Sequence, residues 1–116
     1  MRNFKDLSIW SKSHLLTLKV YSITKNFLKE EMFGLISQMR RSASSIPTNI
    51  AEGCGRSTNP DFKRFLIITT GSSSELEYQL ILAKDLKFLT DSKFKELEME
   101  TIEIRKMLHS FIKNIP

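Results

Sequence analysis

Four long segments predict an all-α protein, an antiparallel up-down-up-down four-helix bundle: in each, apolar residues recur at alternating steps of three and four, and short turns join them. No stretch alternates apolar and polar residues with period two, so strands are not expected. With 116 residues, 41% of them hydrophobic, the chain suits one domain over residues 1–116 with a real core.

The first helix is expected from about Asp6 to Phe27. Ile9, Ser13, Leu16, Val20, Ile23 and Phe27 form one stripe, and Leu7, Trp10, His14, Leu18 and Tyr21 form a second beside it. So wide an apolar surface exceeds what one partner helix covers and points to a central position or to subunit contact. His14 lies within it and reads as a hydrogen-bonded core or interface histidine rather than a catalyst. Lys5, Lys12 and Lys19 fall on the opposite side.

After a turn at Leu28–Glu30, a second helix begins near Glu31 and stops at Gly53-Cys54-Gly55. Ile36, Met39, Ala43, Ile46 and Ile50 form its buried face, with a polar stripe of Ser42, Ser45, Asn49, Glu52 and Arg56 alongside. Pro47 removes one backbone donor and crowds the carbonyl of Ala43, a cost of about 3 kcal/mol or more that should bend the axis. The hydroxyls of Ser42, Ser44, Ser45 and Thr48 are the expected donors to the freed carbonyl. Two readings stand: a kinked core helix packed tightly on a neighbour, or a ligand or nucleic-acid contact at the bend.

Asn59-Pro60-Asp61 supplies an N-cap, a proline for the first helical position and an acidic residue for the first turn. The third helix is expected to run to about Leu89 with Phe62, Leu66, Thr69, Ser73, Leu76, Leu80 and Ala83 inward. Thr69-Thr70-Gly71-Ser72-Ser73-Ser74 lacks the GxxxxGK spacing and preceding strand of a phosphate loop. It reads as a narrow waist where small residues meet those of the second helix. A break is the alternative, since Ser72 with Glu75, or Ser74 with Glu77, would make a capping box. Glu75 and Glu77 stand just beyond, where Arg41 or Arg56 is expected to pair with one of them. For Arg41 two readings therefore stand, a structural ion pair or a ligand contact.

Thr90-Asp91-Ser92 forms the last turn and cap. Phe94, Leu97, Thr101, Ile104, Leu108, Phe111 and Ile115 then stripe the fourth helix, with Glu96, Glu98, Glu100 and Glu103 on its wetter faces.

The net charge of +5 is uneven: residues 1–64 hold 11 basic and 5 acidic side chains, residues 65–116 hold 7 and 8. One side of the molecule should attract polyanions. Arg40, Arg41, Arg56, Lys63 and Arg64 gather around the second helix and its exit loop, where they would contact phosphates. Few aromatics stand among them, so recognition would rest on backbone and shape. No nucleophile and base, metal-binding spacing or cofactor motif emerges, so a non-enzymatic binding module without metal or cofactor is expected. Cys54 between two glycines reads as a loop thiol. No apolar run approaches the roughly 20 residues of a membrane span and the start has no secretion-signal core. A cytoplasmic protein with no membrane partner follows.

Arg40-Arg41-Ser42-Ala43-Ser44-Ser45-Ile46-Pro47-Thr48-Asn49-Ile50-Ala51-Glu52-Gly53, with Gly55-Arg56, resembles the signature of bacterial four-helix-bundle proteins encoded in intervening sequences of 23S ribosomal RNA genes. Trp10, Val20-Tyr21, Phe33-Gly34-Leu35, Gln38, Phe62, Phe65-Leu66, Gly71-Ser72 and Glu75-Leu76-Glu77 extend the likeness over nearly the whole chain. Phe27-Leu28 departs from the Phe-Pro common in relatives, and Phe33 from their Tyr. The accessory protein of diversity-generating retroelements resembles the same family. The resemblance implies a ring-like homopentamer with basic surfaces, binding to RNA or DNA, and a reverse transcriptase as a further partner. It also marks Ser45, Pro47, Asn49, Glu52, Gly53, Gly71, Glu75 and Glu77 as structural positions. The alternative function is a protein-interaction scaffold whose working part is the apolar surface of the first helix.

Overall fold

Two of the long helices start where a threonine side chain offers an acceptor for a free backbone N–H. The computed structural model describes residues 2–116 and contains α1 (Ser8–Thr24), α2 (Ser37–Cys54), α3 (Asn59–Asp85) and α4 (Asp91–Lys113), with no strand among the described residues. Thr58 Oγ1 accepts from Asp61 N at 3.2 Å, so the cap of α3 lies one residue before the expected Asn59, and Pro60 sits in the first turn. Thr90 Oγ1 accepts from Lys93 N at 3.1 Å and opens α4 as expected. α3 ends before Leu89 because Lys87 takes a left-handed φ of 68°. That lets Phe88 N reach Ala83 O and Lys87 N reach Lys84 O, both at 2.9 Å, the paired bonds of a Schellman close.

Neighbouring helices are antiparallel, as their paired contacts show. Thr17 meets Ala43 and Thr24 meets Arg40 between α1 and α2; Ser42 meets Gln79 and Gly53 meets Phe62 and Phe65 between α2 and α3. Lys84 lies over Phe94, Glu77 binds Arg105, and Phe62 packs edge-on against Phe111 between α3 and α4. The expected inward faces of α2, α3 and α4 are buried, Phe111 only in part. Of the second α1 stripe, Leu7 and Trp10 pack half-buried on the core, while His14, Leu18 and Tyr21 are exposed.

α2 runs unbroken through Pro47. The carbonyl that Pro47 leaves free is satisfied from outside the helix: buried Thr17 Oγ1 of α1 approaches Ala43 O at 3.1 Å, sharing its proton with Ser13 O at 2.8 Å. The expected donors on α2 do other work. Ser42 bonds Gln38 O and Gln79 Oε1, Ser45 bonds Ser42 O, and Ser44 bonds Arg41 O. The departure from helical geometry falls instead at Gly34 (φ −108°, ψ −109°), inside a wide turn over Met32–Ile36 that follows a 3₁₀ turn at Lys29–Glu31. Glu31 accepts from Leu35 N there at 3.3 Å. The expected continuous start near Glu31 is thus replaced by two irregular turns.

The close approach of α2 to α3 lies at Gly53, against Phe62 and Phe65, and not at Gly71 in the expected waist of small residues. A Cβ on Gly53 would stand 2.9 Å from Phe65 Cβ and 3.2 Å from Phe62 Cδ1, whereas Gly71 faces open space. Thr69 and Ser73 are buried, and α3 continues without the break that the capping boxes allowed. The expected pairing of Arg41 or Arg56 with Glu75 or Glu77 is also overturned. Arg105 of α4 binds Glu77 and reaches Ser74 Oγ at 3.4 Å, Glu75 is exposed, and Arg41 is exposed and bonds Gln38 Oε1 at 2.8 Å. Along the seam of α1 and α4, Lys12 pairs with Glu103, and Lys19 with Glu100 at 2.7 Å and Glu96 at 3.4 Å. The hydrogen bond that Lys19 donates to Glu100 raises the Lys19 pKa, and the one that it donates to Glu96 lowers the Glu96 pKa.

Thr17→Val should cost about 1–3 kcal/mol, the penalty for an orphaned buried carbonyl. Thr101→Val should cost less, because Thr101 only bonds Leu97 O within its own helix. Equal losses of melting temperature would remove the special role of Ala43. Gly53→Ala should destabilise by about 1–3 kcal/mol through overlap with Phe65, while Gly71→Ala should stabilise by up to about 1 kcal/mol. Denaturant midpoints of the two variants that moved in the same direction would contradict this assignment.

Candidate nucleic-acid interface

The exit of α2 is built by backbone bonds that turn the chain tightly. Gly55 N donates to Glu52 O at 3.1 Å and Arg56 N to Gly53 O at 3.0 Å, after which the chain enters α3 at Thr58. The close approach of Gly53 seats Phe62 and Phe65 against this turn. Arg2 N donates to Cys54 O at 3.3 Å, which brings the N-terminal segment to the same place.

Three guanidiniums lie over these rings. Arg2 stacks on Phe62 at 4.3 Å, and Arg56 and Arg64 both stand 4.7 Å from the centroid of Phe65. Lys63 is half-buried between them in sequence. Arg64 has a loose carboxylate partner, Asp61 at 3.4 Å; among the described residues Arg2, Arg56 and Lys63 have none within ion-pair range. The segments that meet at this end, residues 2–7, 52–64 and 109–116, hold six basic and three acidic side chains. Stacking fixes the flat faces of these cations and leaves their N–H edges for an anion.

Arg40 and Arg41 belong to a different place. Arg41 and Arg56 are separated along α2 by about 22 Å at 1.5 Å per residue. The five basic residues expected around α2 therefore split into Arg56, Lys63 and Arg64 at its exit and Arg40 and Arg41 at its beginning. Arg40 is half-buried, its Nε donating to Thr24 Oγ1 at 2.9 Å and its Nη2 to Tyr21 O at 3.3 Å. Arg2 was not foreseen. Its partners lie more than fifty positions along the chain, and no local pattern marks it.

The polar stripe of α2 is spent internally. Asn49 Nδ2 donates to Ser45 O at 2.8 Å, Ser45 Oγ to Ser42 O at 2.8 Å, and Glu52 and Arg56 at its end are exposed. His14 stacks on Trp10 with 5.2 Å between centroids and 4° between planes. Cys54 is buried in the last turn of α2, which overturns its expected place in a loop, and burial pushes its thiol pKa up. Among the described residues no group of three or more His, Cys, Asp or Glu is placed to hold a metal ion, and no helix is long and apolar enough to cross a membrane.

Comparison with known proteins matches the arrangement of the whole bundle. A solved structure from Bacteroides thetaiotaomicron VPI-5482, described as a protein with unknown function from the S23 ribosomal protein family, is similar over 91% of this chain and 99% of that one, with 28% identity and a TM-score of 0.82. No curated protein matches. The family model of the 23S rRNA-intervening sequence protein matches residues 5–110, from the turn before α1 into the last turns of α4. With α1, α2, α3 and all of α4 up to Ser110 inside that match, the chain belongs to the 23S rRNA-intervening sequence protein family.

Proposed function

We propose that the chain is a non-enzymatic nucleic-acid-binding protein that holds RNA or DNA by its phosphate backbone at the exit of α2. The observation that supports this reading most is the group Arg2, Arg56, Lys63 and Arg64 around Phe62 and Phe65, with Asp61 as its one paired carboxylate. Cations held in place on aromatic rings have already lost part of their rotamer freedom, so less entropy is lost when a phosphate arrives. Binding rather than catalysis fits the serines of α2, whose hydroxyls donate to backbone carbonyls and to Gln79.

A second reading, a self-assembling scaffold, is favoured by one specific feature. Leu15 and Leu18 stand 55% and 52% exposed on α1, and Ile67 and Ile68 are exposed on α3. A ring of copies that buries such side chains is compatible with nucleic-acid binding at the exit of α2. A reverse transcriptase as partner belongs to this scaffold reading.

In a binding titration at several salt concentrations, affinity should fall as salt rises, by about 0.9 log units per log unit of salt for each duplex phosphate contacted. Arg56→Ala with Lys63→Ala should make that slope shallower by roughly 1.5–2. Affinity that is absent, or indifferent to salt and to these substitutions, would sink the nucleic-acid reading. Light scattering at micromolar concentration should return a multiple of the 13.5 kDa chain mass. A monomer mass there would end the scaffold reading.

A further inference from the structure

At the end of the bundle opposite Arg56 and Arg64, an aromatic ring stands in solvent beside two cations. Phe33 is 93% exposed, carried on the wide turn that Gly34 distorts. It shares a shallow groove with Tyr21, Met32, Arg40 and Arg41. The guanidinium of Arg40 lies 4.7 Å from the Tyr21 ring centroid and is pinned by Thr24 Oγ1 and Tyr21 O. Both acceptors are neutral. Neither Arg40 nor Arg41 has a carboxylate in ion-pair range among the described residues, so their charge is fixed in place and uncompensated within the chain.

We propose that this groove is a subsite for single-stranded nucleic acid, in which an unpaired base stacks on Phe33 and an adjacent phosphate is taken by Arg40 and Arg41. The inference rests on the nucleic-acid reading for its class of ligand but uses none of the residues at the exit of α2. Two of the Arg40 N–H groups are committed to Thr24 and Tyr21, which holds the fork in one orientation and leaves its remaining donors for an oxyanion. A flat apolar ring projecting from a turn suits a base whose faces are free. In a duplex those faces are already stacked, so the subsite discriminates for unpaired strands. A two-fold contact with a second copy fits the groove less well, because it would set that copy's Arg40 and Arg41 against these. The few aromatics near these charges in the sequence are thus supplemented in space by Tyr21 from α1 and Phe33 from the turn.

The test uses the full chain with a labelled short single-stranded oligothymidine or oligouridine and a duplex of the same length. Wild type should bind the single strand more tightly than the duplex. Phe33→Ala should weaken single-strand binding about tenfold, within the range measured for loss of one stacked base, and leave duplex affinity unchanged. Phe33→Trp should keep single-strand affinity and show tryptophan quenching on saturation beyond that of Trp10 alone. Arg56→Ala with Lys63→Ala should weaken both probes. Unchanged single-strand affinity in Phe33→Ala, or no added quenching in Phe33→Trp, overturns the subsite. So does a drop in assembled mass for Phe33→Ala with affinity intact, which would assign the face to contact between copies. If duplex binding persists while single-strand preference is absent, the subsite alone fails; if neither probe binds, the proposed function fails with it.

Discussion

The arrangement of the bundle depends on one orphaned carbonyl. Pro47 deprives Ala43 O of its partner within α2, and Thr17 of α1 replaces that partner inside the core. A buried carbonyl without a donor is costly, so this bond does more than add a contact: it fixes how far α1 slides along α2. On the other side of α2, Ser42 bonds Gln79, and Gly53 lets Phe62 and Phe65 approach the backbone. α2 is therefore held at three points by two neighbours, and both of its ends are determined in space.

Those ends carry the charge. At the exit, Phe62 and Phe65 are seated by Gly53 and in turn hold Arg2, Arg56 and Arg64. At the beginning, Thr24 and Tyr21 of α1 hold Arg40. In both places the cation is positioned by aromatic faces and backbone or hydroxyl oxygens more than by carboxylates. Elsewhere some charges are paired: Lys12 and Lys19 meet glutamates across the α1–α4 seam, and Arg105 meets Glu77. The exposed lysine–glutamate pairs contribute little each, but they neutralise. The unevenness visible in the net charge thus becomes two separate positive ends on a molecule 44 Å long.

Sequence by itself determined the helices and their inward faces. Alternating steps of three and four leave a helix one side to bury, and every residue expected inward on α2 from Ile36 to Ile50 is buried. Helix starts at Thr90 and near Asn59 were legible because a cap is a local bond within four residues. The family motif was legible for the same reason: it is one contiguous run. The basic residues of the candidate site could be named, but not grouped.

Only the tertiary structure decided which side chains meet. Thr17 as the donor to Ala43, Gly53 in place of Gly71 at the close approach, Arg105 as the partner of Glu77, and Arg2 beside Cys54 all join residues distant in sequence. The physical reason is that periodicity fixes the face of a helix, whereas the translation of one helix along another is set by the packing of side chains on both. That translation separates Arg40 and Arg41 from Arg56, Lys63 and Arg64, and it places Tyr21 beside Arg40.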